Sequence, residues 1–286
     1  MFRRTMFRFR EYAYDRITYT ILINMIQFLP SRSVALALGQ FEIHWYGIMY
    51  MLGFLIGLWL LPKFLQYRKL TLNERQRESL FVSVFLGVLL GGRLGYIFFY
   101  GGTFYLEHPA EIIAVWHGGM SSHGGFIGVF FALFYFARRH HIHFFALLDV
   151  LIVPIAIGLA LGRLGNLING ELYGTVTNLP WAMGFPGVEG SRHPTQVYAM
   201  LKNLFLACVC FLHLRSSVGA AKKVGQTTAL FLILYSVLRF AVEFFREQTY
   251  ESISLYGILL SRGQLLTIPL FALGLALYLR RKWIHL

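Results

Sequence analysis

The sequence predicts an all-α fold, that of a polytopic membrane protein with several transmembrane helices. Of its 286 residues, 57% are hydrophobic and only 14% are charged, whereas soluble domains carry about 25% charged residues. The mean hydropathy is +0.58. Apolar segments of bilayer length recur along the chain, and no polar stretch between them is long enough for a separate soluble domain.

Each transmembrane helix is predicted from an apolar segment of about 20 residues. The seven segments are Trp45–Phe64, Leu80–Tyr100, Gly118–Ala137, Phe144–Ile168, Val197–Leu214, Thr227–Phe245 and Gln264–Leu279. Lysine and arginine are concentrated in the first, third and fifth connections and in the C-terminal tail, and are absent from the second connection, 101–117. Because cytoplasmic loops carry an excess of these residues, we expect the N-terminus outside and the C-terminus inside.

The N-terminal region departs from this charge pattern, because its arginines would lie outside. Either Ile17–Leu38 is an eighth segment that reverses the chain, or residues 1–24 are a basic extension upstream of a true start at Met25. Pro30 and Arg32 disfavour a spanning helix there, so we favour the start at Met25. Residues 25–286 then form a single seven-helix domain with a short cap near residues 170–196, on the outer side.

The formal net charge of +13 does not indicate a nucleic-acid partner. The charges lie in short clusters between apolar runs, as expected for loops that face anionic lipid. Cys208 and Cys210 are two residues apart in an apolar run and are interpreted as packing residues. Gly91, Gly92 and Gly95 are interpreted as helix-packing glycines.

Polar residues inside the apolar segments point to a functional site. An ionised side chain at the centre of a membrane helix costs roughly 2.5–3.5 kcal/mol, so such residues usually have a function. With the N-terminus outside, these residues collect near the outer face: Tyr46, Arg93, His123, Arg163, Asn166, Asn169, Lys202, Tyr235, Arg239, Glu243 and Arg246. The last four recur at a spacing that places them on one helix face. We therefore predict one site at the outer leaflet.

The residue types at this site favour chemistry on an anionic lipid headgroup. Arginines bind phosphate in a bidentate manner, and a histidine suits general-base catalysis. The carboxylates Glu171 and Glu243 are scattered, so no metal site is expected. No motif of a metalloprotease, serine hydrolase or P-loop ATPase occurs. A lipid or anion transporter and a different lipid-headgroup transferase remain alternatives.

Five blocks of sequence resemble the prolipoprotein diacylglyceryl transferase family. They are Gly162–Gly174, His44–Gly47, Gly118–Gly125, Arg192–Tyr198 and the set Tyr235, Arg239, Glu243 and Arg246. The resemblance extends from about Met25 to the C-terminus. It implies seven transmembrane helices around a central, lipid-accessible cavity, in the bacterial inner membrane, with the active site toward the periplasmic leaflet.

The resemblance also implies the reaction and its partners. The diacylglyceryl group of phosphatidylglycerol would move to the lipobox cysteine of a preprolipoprotein signal peptide, forming a thioether and releasing glycerol-1-phosphate. This is the first step of bacterial lipoprotein lipidation, and it needs no metal or cofactor.

Individual roles follow from the same resemblance. The residues expected to bind phosphatidylglycerol are Arg163, Asn166, Glu171, Gly174, Arg246 and Tyr46. The residues expected to be catalytic are His123, Arg239, Glu243 and Tyr235. Either His123 takes the proton of the thiol, or Arg239 stabilises the thiolate electrostatically; the sequence leaves both open.

Overall fold

A computed structural model describes residues 33–39, 41–218, 224–248, 253–255 and 258–280. The predicted extension at residues 1–24 and the start at Met25 lie outside these ranges. The helices of the described residues are α1 (Trp45–Leu65), α2 (Glu74–Tyr100), α3 (Phe104–Glu107), α4 (Ser122–Arg139), α5 (Phe144–Asn169), α6 (Thr195–Ser216), α7 (Gln226–Glu243) and α8 (Arg262–Leu279). Two antiparallel hairpins pair β1 (Val34–Leu38) with β2 (Phe41–His44) and β3 (Ile253–Leu255) with β4 (Ile258–Leu260).

Within the described residues, 6 helices are long and apolar enough to cross a membrane, namely α1, α2, α5, α6, α7 and α8. The remaining predicted span, Gly118–Ala137, is helical as α4, which covers 18 residues. Its first turn is polar and it closes with Arg138 and Arg139, so it does not reach the apolar character of the others. The count of seven spans and the orientation of the termini stay predictions.

The helix ends differ from the apolar segments because local capping decides them. Helix α2 begins at Glu74, before the predicted Leu80, because Asn73 and Gln76 form a capping box. The amide of Gln76 donates to Asn73 Oδ1 at 2.8 Å, and the amide of Asn73 donates to Gln76 Oε1 at 2.9 Å. A charged first turn is thereby added to an apolar helix.

The end of α7 corrects one prediction. The helix ends at Glu243, and Phe244 and Phe245 form a turn, so Arg246 does not continue the helical face of Tyr235, Arg239 and Glu243.

The N-terminal hairpin bears on the possible eighth segment. Residues Val34–Leu38, the end of the possible eighth segment, form strand β1, so a helix does not continue through them.

The chain divides into two compact units, which are described separately. Of the described residues, the first comprises 33–39, 41–59, 152–212, 229–248, 253–255 and 258–279, and the second comprises 60–151, 213–218, 224–228 and 280. In the second unit, α2 and α4 pack through glycines. A Cβ on Gly95 would lie 2.6 Å from the Cα of Gly124, and a Cβ on Gly91 would lie 2.7 Å from the Cα of Gly128. The packing role predicted for Gly91 and Gly95 is confirmed.

Candidate active site

Helix α7 carries a buried ion pair in the first unit. Arg239 Nη1 lies 2.5 Å from Glu243 Oε2, one helical turn further on, and the Glu243 side chain is only 3% exposed. Arg246 Nη1 lies 3.8 Å from the same oxygen. The hydroxyl of Ser261 donates to Glu243 Oε1 at 3.3 Å. One carboxylate is therefore shared by two guanidinium groups, and Arg239 is the closer of the two.

The start of α8 packs against this pair through a glycine. A Cβ on Gly263 would lie 2.7 Å from Cδ of Glu243 and 3.1 Å from Nη2 of Arg239. Ser261 and Gln264 cap the helix here, with Ser261 N donating to Gln264 Oε1 at 2.9 Å and Gln264 N donating to Ser261 Oγ at 3.1 Å. Ser261 and Gly263 were not predicted from the sequence, although the spacing of Ser261 and Gln264 is that of a capping box.

Arg163, in the last turns of α5, is brought close to this pair. Its guanidinium interacts electrostatically with Arg239, Tyr235, Tyr46 and Glu243. Among the described residues it forms no hydrogen bond or ion pair. Its donors are therefore available to an external anion, although it lies near the buried carboxylate.

Tyr46, at the start of α1, lies close to Arg163 and interacts with it electrostatically. The Tyr46 hydroxyl is 3.1 Å from that of Tyr50, and a Cβ on Gly165 would come within 3.0 Å of Cδ2 of Tyr46. The absence of a side chain at Gly165 thus lets the Tyr46 ring lie against α5. Tyr46 also interacts electrostatically with Glu171.

Glu171 is held by amides. Asn166 Nδ2 donates to its Oε1 at 2.8 Å, and Asn169 Nδ2 donates to the same oxygen at 3.3 Å. Within the described part of the chain, no arginine forms an ion pair with Glu171. The carboxylate therefore orients the Asn166 side chain next to Arg163.

Lys202 on α6 was seen in the sequence but was not assigned a role. It is 8% exposed, and its ammonium lies 3.9 Å from the centroid of the Tyr235 ring. It is close enough to Arg163 and Arg239 for their charges to act on it. Within the described residues it has no ion pair or hydrogen bond.

Gly174 contributes through its backbone. Its amide donates to the carbonyl of His193 at 2.9 Å, and it forms an isolated bridge with Arg246. A Cβ on Gly174 would lie 2.6 Å from Cβ of His193. The glycine thus lets the loop after α5 approach the backbone of Arg246.

Arg246 lies after the end of α7. Burial lowers the pKa of its guanidinium from the usual value, and the negative charge of Glu243 opposes that shift. An arginine stays charged at neutral pH.

His123 and Arg93 belong to the second unit. His123 is exposed near the start of α4. Arg93 is 5% exposed and donates to the carbonyls of Glu111, Ile112, Gly118 and Gly119. Its guanidinium is therefore used to hold the segment between α2 and α4.

Within the described residues, no group of three histidine, cysteine, aspartate or glutamate side chains could hold a metal ion.

The first unit thus gathers Arg163, Arg239 and Arg246 around one buried carboxylate, Glu243, and Lys202 lies close to Arg163 and Arg239. Positive charge exceeds negative charge, and guanidinium groups are well suited to bind phosphate or carboxylate. Fold and site together define a multi-pass membrane protein with a buried site for an anionic ligand.

Comparisons with known proteins give the family. Residues 33–280 match the sequence model of the family described as prolipoprotein diacylglyceryl transferase. The chain is 44% identical over 262 residues to the phosphatidylglycerol–prolipoprotein diacylglyceryl transferase of Polynucleobacter asymbioticus, covering 90% of this chain and 96% of that protein. It is also 44% identical over 254 residues to the protein of the same name from Geobacter sulfurreducens, covering 88% of this chain and 96% of that one. The chain belongs to the prolipoprotein diacylglyceryl transferase family.

Proposed function

We propose that this chain transfers the diacylglyceryl group of phosphatidylglycerol to the lipobox cysteine of a prolipoprotein. A carbon–sulfur bond forms at the glycerol carbon that carries the phosphate, and the carbon–oxygen bond to that phosphate breaks. The electron pair of the broken bond leaves with the oxygen as glycerol-1-phosphate, and the thiol proton is released. The names of the relatives and the family match support this reaction.

One observation in the structure of this chain supports the proposal independently of the relatives. Arg163 has no partner of its own among the described residues, yet it lies beside Arg239, whose charge is only partly balanced by Glu243. A half-buried cation without an anion carries part of the cost of an unpaired buried charge. An anionic headgroup bound between the two guanidinium groups removes that cost and is itself fixed in position.

Roles for the remaining residues follow from these contacts. Arg163, together with Asn166, holds the headgroup phosphate, and Glu171 orients the Asn166 amide. Arg239 and Arg246 stabilise the charge of the departing glycerol phosphate, and Glu243 keeps both of them in place. Preorganised electrostatic stabilisation of this kind often contributes more to catalysis than any other effect, and one donor is worth on the order of 2.7–4 kcal/mol.

The base that accepts the thiol proton has two candidates. A free thiol has a pKa of about 8.5 and is mostly protonated at neutral pH. His123 is the first candidate, as an exposed imidazole that can accept a proton. Arg239 is the second, through electrostatic stabilisation of the thiolate. We further propose that the site opens to the periplasmic leaflet of the inner membrane, where an exported lipobox cysteine arrives.

A direct assay tests the proposed function. Purified protein is incubated with phosphatidylglycerol and a lipobox peptide, and the peptide mass is measured. A gain of one diacylglyceryl group on the cysteine, together with release of glycerol-1-phosphate, is the expected result. A peptide in which serine replaces the cysteine is the matched control and should stay unmodified. If the cysteine peptide also keeps its original mass, the proposed function is wrong.

A further inference from the structure

Lys202 is a buried cation that the roles above leave unused. It lies on α6, a helix apolar enough to span a membrane, and only 8% of it is exposed. Among the described residues it has no carboxylate partner and no hydrogen bond, and its ammonium lies 3.9 Å from the centroid of the Tyr235 ring. A cation over an aromatic face gains on the order of 0.5–2 kcal/mol, which is small beside the cost of burying an unpaired charge.

The neighbours of Lys202 increase this cost. The charges of Arg163 and Arg239 both act on its ammonium, and like charges repel in a site with little water. If the only role of position 202 were to pack against Tyr235, an apolar side chain would serve better. The surplus of positive charge is therefore explained by a ligand that brings more than one negative charge to this place.

The proposed reaction supplies such a ligand during its course. The phosphodiester of phosphatidylglycerol carries one negative charge. When the carbon–oxygen bond breaks, the phosphate becomes a monoester, which carries a charge of about −1.5 to −2 at pH 7. Negative charge thus grows on the phosphate between substrate and product. A cation placed there stabilises the transition state more than the bound substrate and so raises the turnover number.

We propose that Lys202 is a further phosphate ligand of this site, and that it binds the charge that develops on the departing glycerol phosphate. This inference rests on the proposed function. It assigns to Lys202 a contact with the leaving group, beside Arg163 and Arg239, and Tyr235 positions the ammonium for it.

The main test compares Lys202→Met with the wild-type protein in the peptide assay. We expect kcat to fall roughly 10- to 100-fold, the effect of one lost hydrogen bond to a charged group, with KM for phosphatidylglycerol changed far less. Lys202→Arg keeps the charge and should retain more turnover than Lys202→Met. Arg215→Met is the matched control, because it removes an exposed positive charge from the same helix and should leave kcat unchanged.

Product inhibition separates a phosphate ligand from a structural residue. Added glycerol-1-phosphate should inhibit the wild-type protein, and Lys202→Met should weaken that inhibition by at least about 10-fold. The methyl diester of glycerol-1-phosphate carries one negative charge fewer. Its inhibition of the enzyme should therefore be weakened much less by Lys202→Met. The melting temperature of Lys202→Met should be unchanged or higher, since an unpaired buried charge is removed.

One outcome of these assays and one additional measurement can each refute the inference. If the wild-type protein lipidates the peptide while Lys202→Met matches its kcat and both inhibition constants, the inference on Lys202 is wrong and the proposed function stands. If Lys202→Met does not fold, or the wild-type protein has no activity, the extent of reductive methylation of Lys202 in the wild-type protein tests the inference instead. Glycerol-1-phosphate, but not glycerol, should protect Lys202 from modification. Equal modification with both would overturn the inference.

Discussion

At the scale of single residues, the donor geometry of Arg163 can be tested apart from its charge. Its guanidinium has no protein partner among the described residues, so its planar set of N–H donors is free to bind two oxygens of one phosphate. An ammonium keeps the charge but does not reproduce this fork. We therefore expect Arg163→Lys to lose about 10- to 100-fold in kcat/KM, measured with phosphatidylglycerol and a lipobox peptide. The exposed Arg139→Lys is the control; equal activity of the two variants would show that charge alone suffices.

The two candidates for activating the thiol differ in what their removal should do. If His123 is the base, His123→Gln should lower kcat by about 100-fold or more, because general-base catalysis contributes on that order. If Arg239 stabilises the thiolate instead, His123→Gln should keep substantial turnover and Arg239→Ala should lose nearly all of it. Turnover of both variants, measured at equal amounts of folded protein, decides between them.

Arg239→Ala needs its own control, because it also changes the surroundings of Glu243. The carboxylate is 3% exposed, and the variant would leave it only the hydroxyl of Ser261, at 3.3 Å, and the guanidinium of Arg246, at 3.8 Å. An unpaired buried charge destabilises the fold on its own. The double variant Arg239→Ala/Glu243→Gln removes that charge. If Glu243→Gln alone keeps turnover while the double variant melts normally and has none, the loss belongs to the missing guanidinium; recovered turnover in the double variant would assign it to the unpaired carboxylate.

At the scale of elements, the glycines between α2 and α4 determine how closely these helices pack. A Cβ on Gly91 would lie 2.7 Å from the Cα of Gly128, so even alanine forces the backbones apart. Overpacking of this kind costs about 1–3 kcal/mol. We expect Gly91→Ala to lower the melting temperature in detergent. Gly158→Ala, in helix α5, adds its methyl group to open space and should be neutral or stabilising. If both variants melt with the wild type, close packing of α2 and α4 is not required.

A second element-scale prediction concerns the buried pair of Arg68 and Asp149. Arg68 Nε donates to Asp149 Oδ2 at 2.9 Å, and Arg68 also donates to Ser217 and Thr227. Asp149 further accepts from the amide of Gly225 at 2.7 Å and from the amide and hydroxyl of Thr228 at 2.8 Å each. This pair therefore ties the end of α6 and the start of α7 to α5.

Removing either partner should destabilise the fold by about 3–5 kcal/mol. Asp149→Leu should cost more than Arg68→Met, because it also leaves the backbone amides of Gly225 and Thr228 without their acceptor. Denaturation in detergent measures both variants, and Arg75→Met, which removes an exposed charge, is the control. If Arg68→Met proves the more damaging, the amides find other partners and this account of Asp149 is incorrect.

The elements also show how far a single sequence can predict local structure. The apolar runs located the helices well, because burying about 20 apolar residues in lipid outweighs local preferences. The ends of helices were predicted less well, since capping by Asn73 and Gln76, or by Ser261 and Gln264, acts over a few polar residues that hydropathy ignores. The turn after Glu243 was missed for a different reason, because the bridge between Gly174 and Arg246 joins residues distant in the sequence.

At the scale of the whole molecule, the site was predicted best where charge inside apolar segments revealed it. Arg163, Tyr46, Tyr235, Arg239 and Glu243 were expected together, and the first unit gathers them. The role of Lys202 was missed, because a lone lysine on an apolar helix gives no sign of its neighbours until the tertiary contacts are known. Gly263 was missed for a similar reason, since its importance lies in the close approach of another element.

Orientation in the membrane is the prediction on which the direction of the reaction depends. The charges of the connections predict that the loop 69–73 lies in the cytoplasm and the cap near residues 170–196 outside. In the proposed reaction, an exported lipobox cysteine would meet a site next to the cap at the outer leaflet. Thr71 and Asn178 are exposed members of these two connections, and each can be replaced by cysteine in a background where Cys208 and Cys210 are removed.

An impermeant maleimide added to intact spheroplasts should label Asn178→Cys at once, whereas Thr71→Cys should react only after the membrane is opened. Both variants must keep transferase activity, so that the labelled protein is the folded one. The opposite pattern would place the cap and its neighbour Arg246, to which Gly174 bridges, in the cytoplasm. The arginines could then meet only the inner-leaflet lipid, and transfer to an exported cysteine would require a different site.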